Sequence, residues 1–148
     1  MKRLLGMTAA GALALSLGQA TAQESGPFIV SDLTQSPDEA VAAIRDHAES
    51  HDDWLYMAEF GLAGGKVTAV KICYAPLGPD IVAAGWHVMA MMPCGHLAFY
   101  EEDGQSRMSR LDLDFMTELN PDPNLEAAVK KGKPAFAELF EATLQQAR

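Results

Sequence analysis

His96-Leu97-Ala98-Phe99-Tyr100-Glu101-Glu102-Asp103-Gly104-Gln105-Ser106-Arg107-Met108-Ser109-Arg110-Leu111-Asp112-Leu113 is the stretch that decides the fold. Residues 96–101 are aromatic and apolar and read as a strand. Residues 102–105 form a turn in which Gly104 takes a positive φ at no steric cost. Residues 107–113 return as the partner strand, with Met108, Leu111 and Leu113 partly alternating with polar residues. A turn this short can join only antiparallel strands, because a parallel pair needs a crossover of a dozen or more residues.

The same reading extends upstream. Residues 67–74 are a near-continuous apolar, β-branched run interrupted by Lys71, which predicts a central strand with Cys73 near its end. Residues 54–60 predict the strand before it, and Gly61, Gly64 and Gly65 the turn between them. Ser36-Pro37-Asp38-Glu39 is a helix start: Ser36 caps, Pro37 fits the first turn and Glu39 closes a capping box. Ala40, Val41, Ile44 and Ala48 recur at helical spacing and should face the core, with the helix ending near His51. Phe28-Ile29-Val30 predicts a short first strand, and residues 23–27 a loose leader.

Residues 80–84 suit one short helical turn. Residues 89–92 are too short for periodicity to separate strand from helix. Residues 115–119 predict a short helix, and Asn120-Pro121-Asp122-Pro123 a break. Leu125, Val129, Phe136, Leu139, Phe140 and Leu144 give residues 125–147 a helical pattern, which Gly132 and Pro134 should divide or kink. Helices interrupt the strands rarely, so the class is α+β with a largely antiparallel sheet and helices packed on one face. There is no internal repeat and no low-complexity tract.

Residues 1–22 have the form of a cleaved secretory signal. Lys2 and Arg3 precede an apolar run from Leu4 to Leu17, and Ala20-Thr21-Ala22 offers the small residues of a cleavage site before Gln23. The run is shorter than the ~20 residues of a membrane span, so no membrane anchor is expected after cleavage. The protein is therefore expected in the periplasm or outside the cell, as a single domain over residues 23–148. The whole chain has 148 residues and a net charge of −9. Without the first 22 residues, 126 remain, and loss of Lys2 and Arg3 takes the charge to −11. An acidic surface repels phosphate backbones, so nucleic acid is not an expected partner.

Chemistry concentrates in Trp86-His87-Val88-Met89-Ala90-Met91-Met92-Pro93-Cys94-Gly95-His96, with Cys73 as the only other cysteine. Three uses remain open. Cys73 and Cys94 allow one intramolecular disulfide, which an exported protein favours. It would close a loop of about twenty residues, worth on the order of 3 kcal/mol. The same pair could instead be redox-active, with His96 favouring the Cys94 thiolate, although no Cys-x-x-Cys spacing is present. Or Cys73, Cys94, His96, Met89, Met91 and His87 could supply a soft-metal site. Copper suits that ligand set best, and no standard zinc spacing is present. If residues 88–91 are extended, His87, Met89 and Met91 project from one face. The structural reading of the methionines is that they fill an irregular core.

Two weaker constellations are also present. His47 and His51 stand four residues apart on the first helix, but Ala48 occupies the place of the glutamate in a His-Glu-x-x-His zinc motif. Glu101-Glu102-Asp103 and Asp112/Asp114 lie at turn and strand ends with no apolar setting to split their acidities. No phosphate loop, dinucleotide fingerprint or nucleophile elbow is present. The balance is against an enzyme, and no catalytic residue is assigned.

With the elements placed, the chain resembles the domain-of-unknown-function 302 family. The resemblance runs from Phe28 to Ala147 and rests on Lys71-Ile72-Cys73-Tyr74-Ala75-Pro76, on Met92-Pro93-Cys94, and on Leu97-Ala98-Phe99-Tyr100-Glu101-Glu102-Asp103-Gly104. Tyr74 stands where the family has Asn, and Ala75 is an extra residue before Pro76. The resemblance implies a β-α-β4-α arrangement similar to the TATA-binding-protein-like folds, and a homodimer. It implies no activity. The expectation is an exported protein that binds a small ligand or soft metal near Cys73, Cys94 and His96. The alternatives are a disulfide-stapled interaction module and a thiol-dependent oxidoreductase.

Overall fold

The computed structural model describes residues 23–91 and 95–145. The proposed signal segment and Cys94 lie outside them. Six strands form one sheet: β1 (Gln23–Ser25), β2 (Phe28–Leu33), β3 (Trp54–Leu62), β4 (Val67–Tyr74), β5 (Gly95–Glu102) and β6 (Gln105–Leu111). Their order is β1-β2-β6-β5-β4-β3, and every neighbouring pair is antiparallel. The helices are α1 (Pro37–Ser50), α2 (Gly78–Ala83), α3 (Asp114–Leu119) and α4 (Pro123–Thr143). Strands β2 to β6 with α1 and α4 make the expected β-α-β4-α frame, and the class is α+β as read from the sequence. No described helix is long and apolar enough to cross a membrane.

Local chemistry accounts for most element boundaries. At the start of α1 the Ser36 hydroxyl accepts from the Glu39 amide, and the Glu39 carboxylate accepts from the Ser36 amide at 2.8 Å, a complete capping box. Glu102 pairs with Gln105 across the two-residue Asp103-Gly104 turn, where both central residues have positive φ.

Two expectations are corrected. Residues 23–25 are not a loose leader but strand β1, paired Ser25↔Phe28 through Gln23↔Val30. The reason is the Gly26-Pro27 turn: Gly26 at φ 65° reverses the chain in two residues, and Pro27 fits the second turn position. The C-terminal pattern is one helix, α4, running through both Gly132 and Pro134. Gly132 serves packing, since a Cβ there would lie 3.0 Å from Leu113 Cδ1 and 3.2 Å from Leu77 Cδ1. Burial of Val129, Phe136, Leu139 and Phe140 on either side of Pro134 outweighs its missing hydrogen bond.

One face of the sheet carries α1 and α4. Leu33, Val70, Ile72, Leu97, Phe99 and Met108 from the strands meet Val41 and Ile44 of α1 and Phe136, Leu139 and Phe140 of α4. A second cluster joins Leu77, Ile81, Val88, Leu125 and Ala128 beneath α2 and the start of α4. The opposite sheet face bears no described helix in these clusters, and register sets apolar side chains on it beside Asp32, Lys71, His96 and Arg107. Register places Phe28, Leu55, Phe60, Leu62, Val67, Ala69 and Ala98 on it. Phe28, Leu55, Phe60 and Leu62 are each about half exposed.

Candidate functional site

The β4–β5 ladder brings the candidate residues together. Lys71 pairs with His96 and Ile72 with Gly95. Side chains alternate, so Lys71, Cys73 and His96 share the face away from α1 and α4. Lys71 is 5% exposed, and its Nζ donates to His96 Nε2 at 2.7 Å. Burial pushes the Lys71 ammonium down to about 8. Among the described residues there is no free cysteine thiol. The sequence reading treated Lys71 only as an interruption of an apolar strand. A lone lysine inside such a run was the available sign of a buried cation.

The methionine and histidine run is arranged differently from an extended segment. Trp86–Met91 is a 3-10 turn. At three residues per turn, Val88 and Met91 share one side, and Met89 falls on the side of Trp86. Val88 is 1% exposed and Met91 packs against the second core cluster. Met89 and His87 are exposed. His87, Met89 and Met91 therefore do not share one face. Met91 and His96 both line one cavity. Among the described residues no group of three or more His, Cys, Asp or Glu side chains could hold a metal ion.

The cavity has room of about 90 Å³ and opens between the start of β5, the end of β6, α3 and α4. Leu113, Phe115, Met116, Phe136 and Phe140 supply apolar walls, and Arg110 is the cation among them. Gly95 lets the floor form. A Cβ there would lie 2.4 Å from Phe136 Cε1, so only glycine allows this ring against the strand. Arg110 pairs with Leu97 across the ladder and lies on the helix-bearing side. Its Cζ stands 5.2 Å from the Phe140 ring centroid, a cation–π contact. Its Nε is buried and has no hydrogen-bond partner among the described residues. Burial pushes the guanidinium pKa down, with Asp112 opposing. Arg110 was missed because it looks like an ordinary polar position in an alternating strand. The parity it shares with buried Met108 was the sign.

The weaker constellations are engaged elsewhere. His47 and His51 stack with ring centroids 3.9 Å apart. His51 Nδ1 lies 2.8 Å from the His47 carbonyl oxygen, to which it donates as the Nδ1–H tautomer. Asp112 caps the Asp114 amide at 3.2 Å, and both carboxylates pair with Lys133. Glu102 and Asp32 pair with Arg107.

The histidine stack makes a pH prediction. Burial first, then the neighbouring His51, holds the His47 pKa below its ordinary 6.5. The unfolded chain then binds the proton more readily, so stability falls as pH drops through and below about 6.5. Urea midpoints at pH 7.5 and 5.5 should differ in that direction, and His47→Gln should reduce the difference. An undiminished difference in the variant would assign the acid sensitivity elsewhere.

No protein-family model matches the chain, and no curated protein matches it. Among solved structures it is similar to the crystal structure of the uncharacterized conserved protein DUF302 from Bacillus stearothermophilus. The TM-score is 0.67 at 9% identity, over 80% of this chain and 99% of that one. So low an identity carries architecture and no chemistry. The chain therefore has the fold of a DUF302 protein, and the resemblance read from its motifs holds at the level of the fold.

Proposed function

We propose that this is an exported, noncatalytic binding protein for a small organic ligand, which enters between the end of the sheet, α3 and α4. The supporting observation is the largely apolar cavity whose lining includes Arg110, Asp112, Met91 and His96. Binding sites are commonly apolar pockets with few polar groups, and this one has that composition on a smaller scale. Export rests on the sequence of residues 1–22. Butan-1-ol is a suitable first probe, since its four carbons match the room available. Titrated into protein labelled at methyl groups, it should shift Met91, Leu113 and Met116. Binding that leaves these methyls unmoved, or no binding by butan-1-ol and by its charged analogues butanoate and butylammonium, would overturn the reading.

A Cys73–Cys94 disulfide belongs to the same proposal. Ile72, the chain neighbour of Cys73, pairs with Gly95, the chain neighbour of Cys94. Directly opposed antiparallel residues have Cα atoms about 4.5–5.5 Å apart, inside the range a disulfide spans. A bridged pair leaves no thiolate for copper, so this support for the staple counts against the metal reading.

The half-exposed apolar side chains of the opposite sheet face support a homodimer. Antiparallel sheets facing water normally alternate to polar side chains, and this face instead mixes Phe28, Leu55, Phe60 and Leu62 with Asp32, Lys71, His96 and Arg107. Five strands about 4.8 Å apart and roughly 20 Å long present about 500 Å² of flat sheet before side-chain relief. That approaches the ~800 Å² per partner of a standard interface, so a second copy packed sheet to sheet is the occupant that fits. Phe60 and Leu62 lie on it at 50% and 48% exposure. Sedimentation velocity should find the wild type dimeric and Phe60→Glu monomeric with its fold retained. A monomeric wild type would remove this part of the proposal.

A further inference from the structure

We infer that the ligand is a small monocarboxylate with an apolar body, its carboxylate held by Arg110 and its carbon skeleton lying along Leu113, Phe115 and Met116. The inference rests on the cavity reading above and adds the chemical class of what fills it.

Arg110 is a partly buried charge with no ion pair among the described residues, and Asp112 acts on it only as a nearby charge. A guanidinium stays protonated in proteins. Placing it away from water without an anionic partner is costly. Among the described residues Arg110 makes no ion pair and no side-chain hydrogen bond, and its Nε–H is buried without an acceptor. The carboxylate nearest in sequence, Asp112, is committed to the Asp114 amide at 3.2 Å and to Lys133 at 3.6 Å. Phe140 covers one face of the guanidinium and leaves its in-plane N–H groups to be met. A carboxylate meets such an edge through two parallel bonds, Nε–H to one oxygen and a terminal N–H to the other.

The rest of the cavity sets the body of the ligand. Besides Arg110, its lining includes Asp112 and His96 and is otherwise apolar, and since Asp112 already brings a negative charge, a second negative charge on the ligand would be opposed there. That selects a monoanion over a dicarboxylate or a phosphate ester. Room of about 90 Å³ selects a short chain or a small ring. The acidic surface opposes anions at long range, but charges beyond about 8 Å are screened at physiological ionic strength.

The test compares butanoate with butan-1-ol and butylammonium, which match it in length and differ in charge. Affinities come from methyl and Arg110 side-chain shifts in the full-length protein. Butanoate should bind at least about tenfold more tightly than butan-1-ol, the effect expected of charge-assisted bonds, and butylammonium should be the weakest. Arg110→Met, which keeps the side-chain length, should lower butanoate affinity at least about tenfold and leave butan-1-ol within about twofold. Arg110→Lys, which keeps charge but loses the planar edge, should fall between. Equal binding of butanoate and butan-1-ol, or indifference of butanoate to Arg110→Met, overturns the carboxylate and leaves the cavity as a neutral-ligand site. Failure of all three probes to shift Leu113 and Met116 overturns the cavity reading itself.

Discussion

Replacing Phe136 by Ala should lower the stability of the domain by about 3–5 kcal/mol, the largest single-residue loss expected here. The ring is 5% exposed and stands edge-on to Trp54, with centroids 5.0 Å apart. It also contacts Gly95, where the strand has given up its side chain to admit it. Backbone cannot move into the space the ring leaves, because β5 is held between β4 and β6. The void would instead join the existing cavity. For a domain of this size a loss of that magnitude lowers Tm by about 10 °C or more. Denaturant unfolding measures it directly, and a loss below about 1 kcal/mol would show that the ring is not part of the core. Butan-1-ol should recover part of the loss in the variant, because a ligand that binds only the folded state stabilises it.

The second large effect concerns the proposed disulfide. Reduction should lower stability by about 3 kcal/mol, the expectation for a loop of about twenty residues. Cys73→Ser and Cys94→Ser should each cost the same as reduction, and the double variant should cost no more than either. That non-additivity is the signature of one bond between two residues and would not arise from two independent buried thiols. A protein whose unfolding is indifferent to reductant, and which titrates two thiols when unfolded without it, would contradict the staple.

What could be read from the chain was mostly local. Ser36-Pro37-Asp38-Glu39 announces a helix because each residue satisfies a backbone group within one turn. Asp103-Gly104 announces a hairpin because both residues accept positive φ. Gly132 and Pro134 misled because their local cost is real, while what overrides it is tertiary: Leu77 and Leu113 against Gly132, and burial of Val129, Phe136, Leu139 and Phe140 around Pro134. The site was half legible. Cys73, Met91 and His96 stood out by residue type. Lys71 and Arg110 did not, because a charged residue in a strand becomes notable only when its face is known to be buried. That depends on register with His96 and Leu97, which no short window of sequence contains.

The position of β2 has a consequence for how the molecule assembles. Strands β3 to β6 form a run in which each pairs with its neighbour in sequence, apart from the excursion through α2 between β4 and β5. The seam between β2 and β6 is different, joining Phe28 to Leu111 and Leu33 to Ser106. On a chain that emerges from its N-terminus, the β1–β2 hairpin is the first sheet segment made and the last to find its place. Until β6 is complete, Phe28, Val30 and Leu33 have no sheet to join. Closing a loop of that length before any contact rewards it is the slow step expected of such a topology. The rate of folding should therefore answer to substitutions along the β2–β6 seam more than to those at the β5–β6 turn.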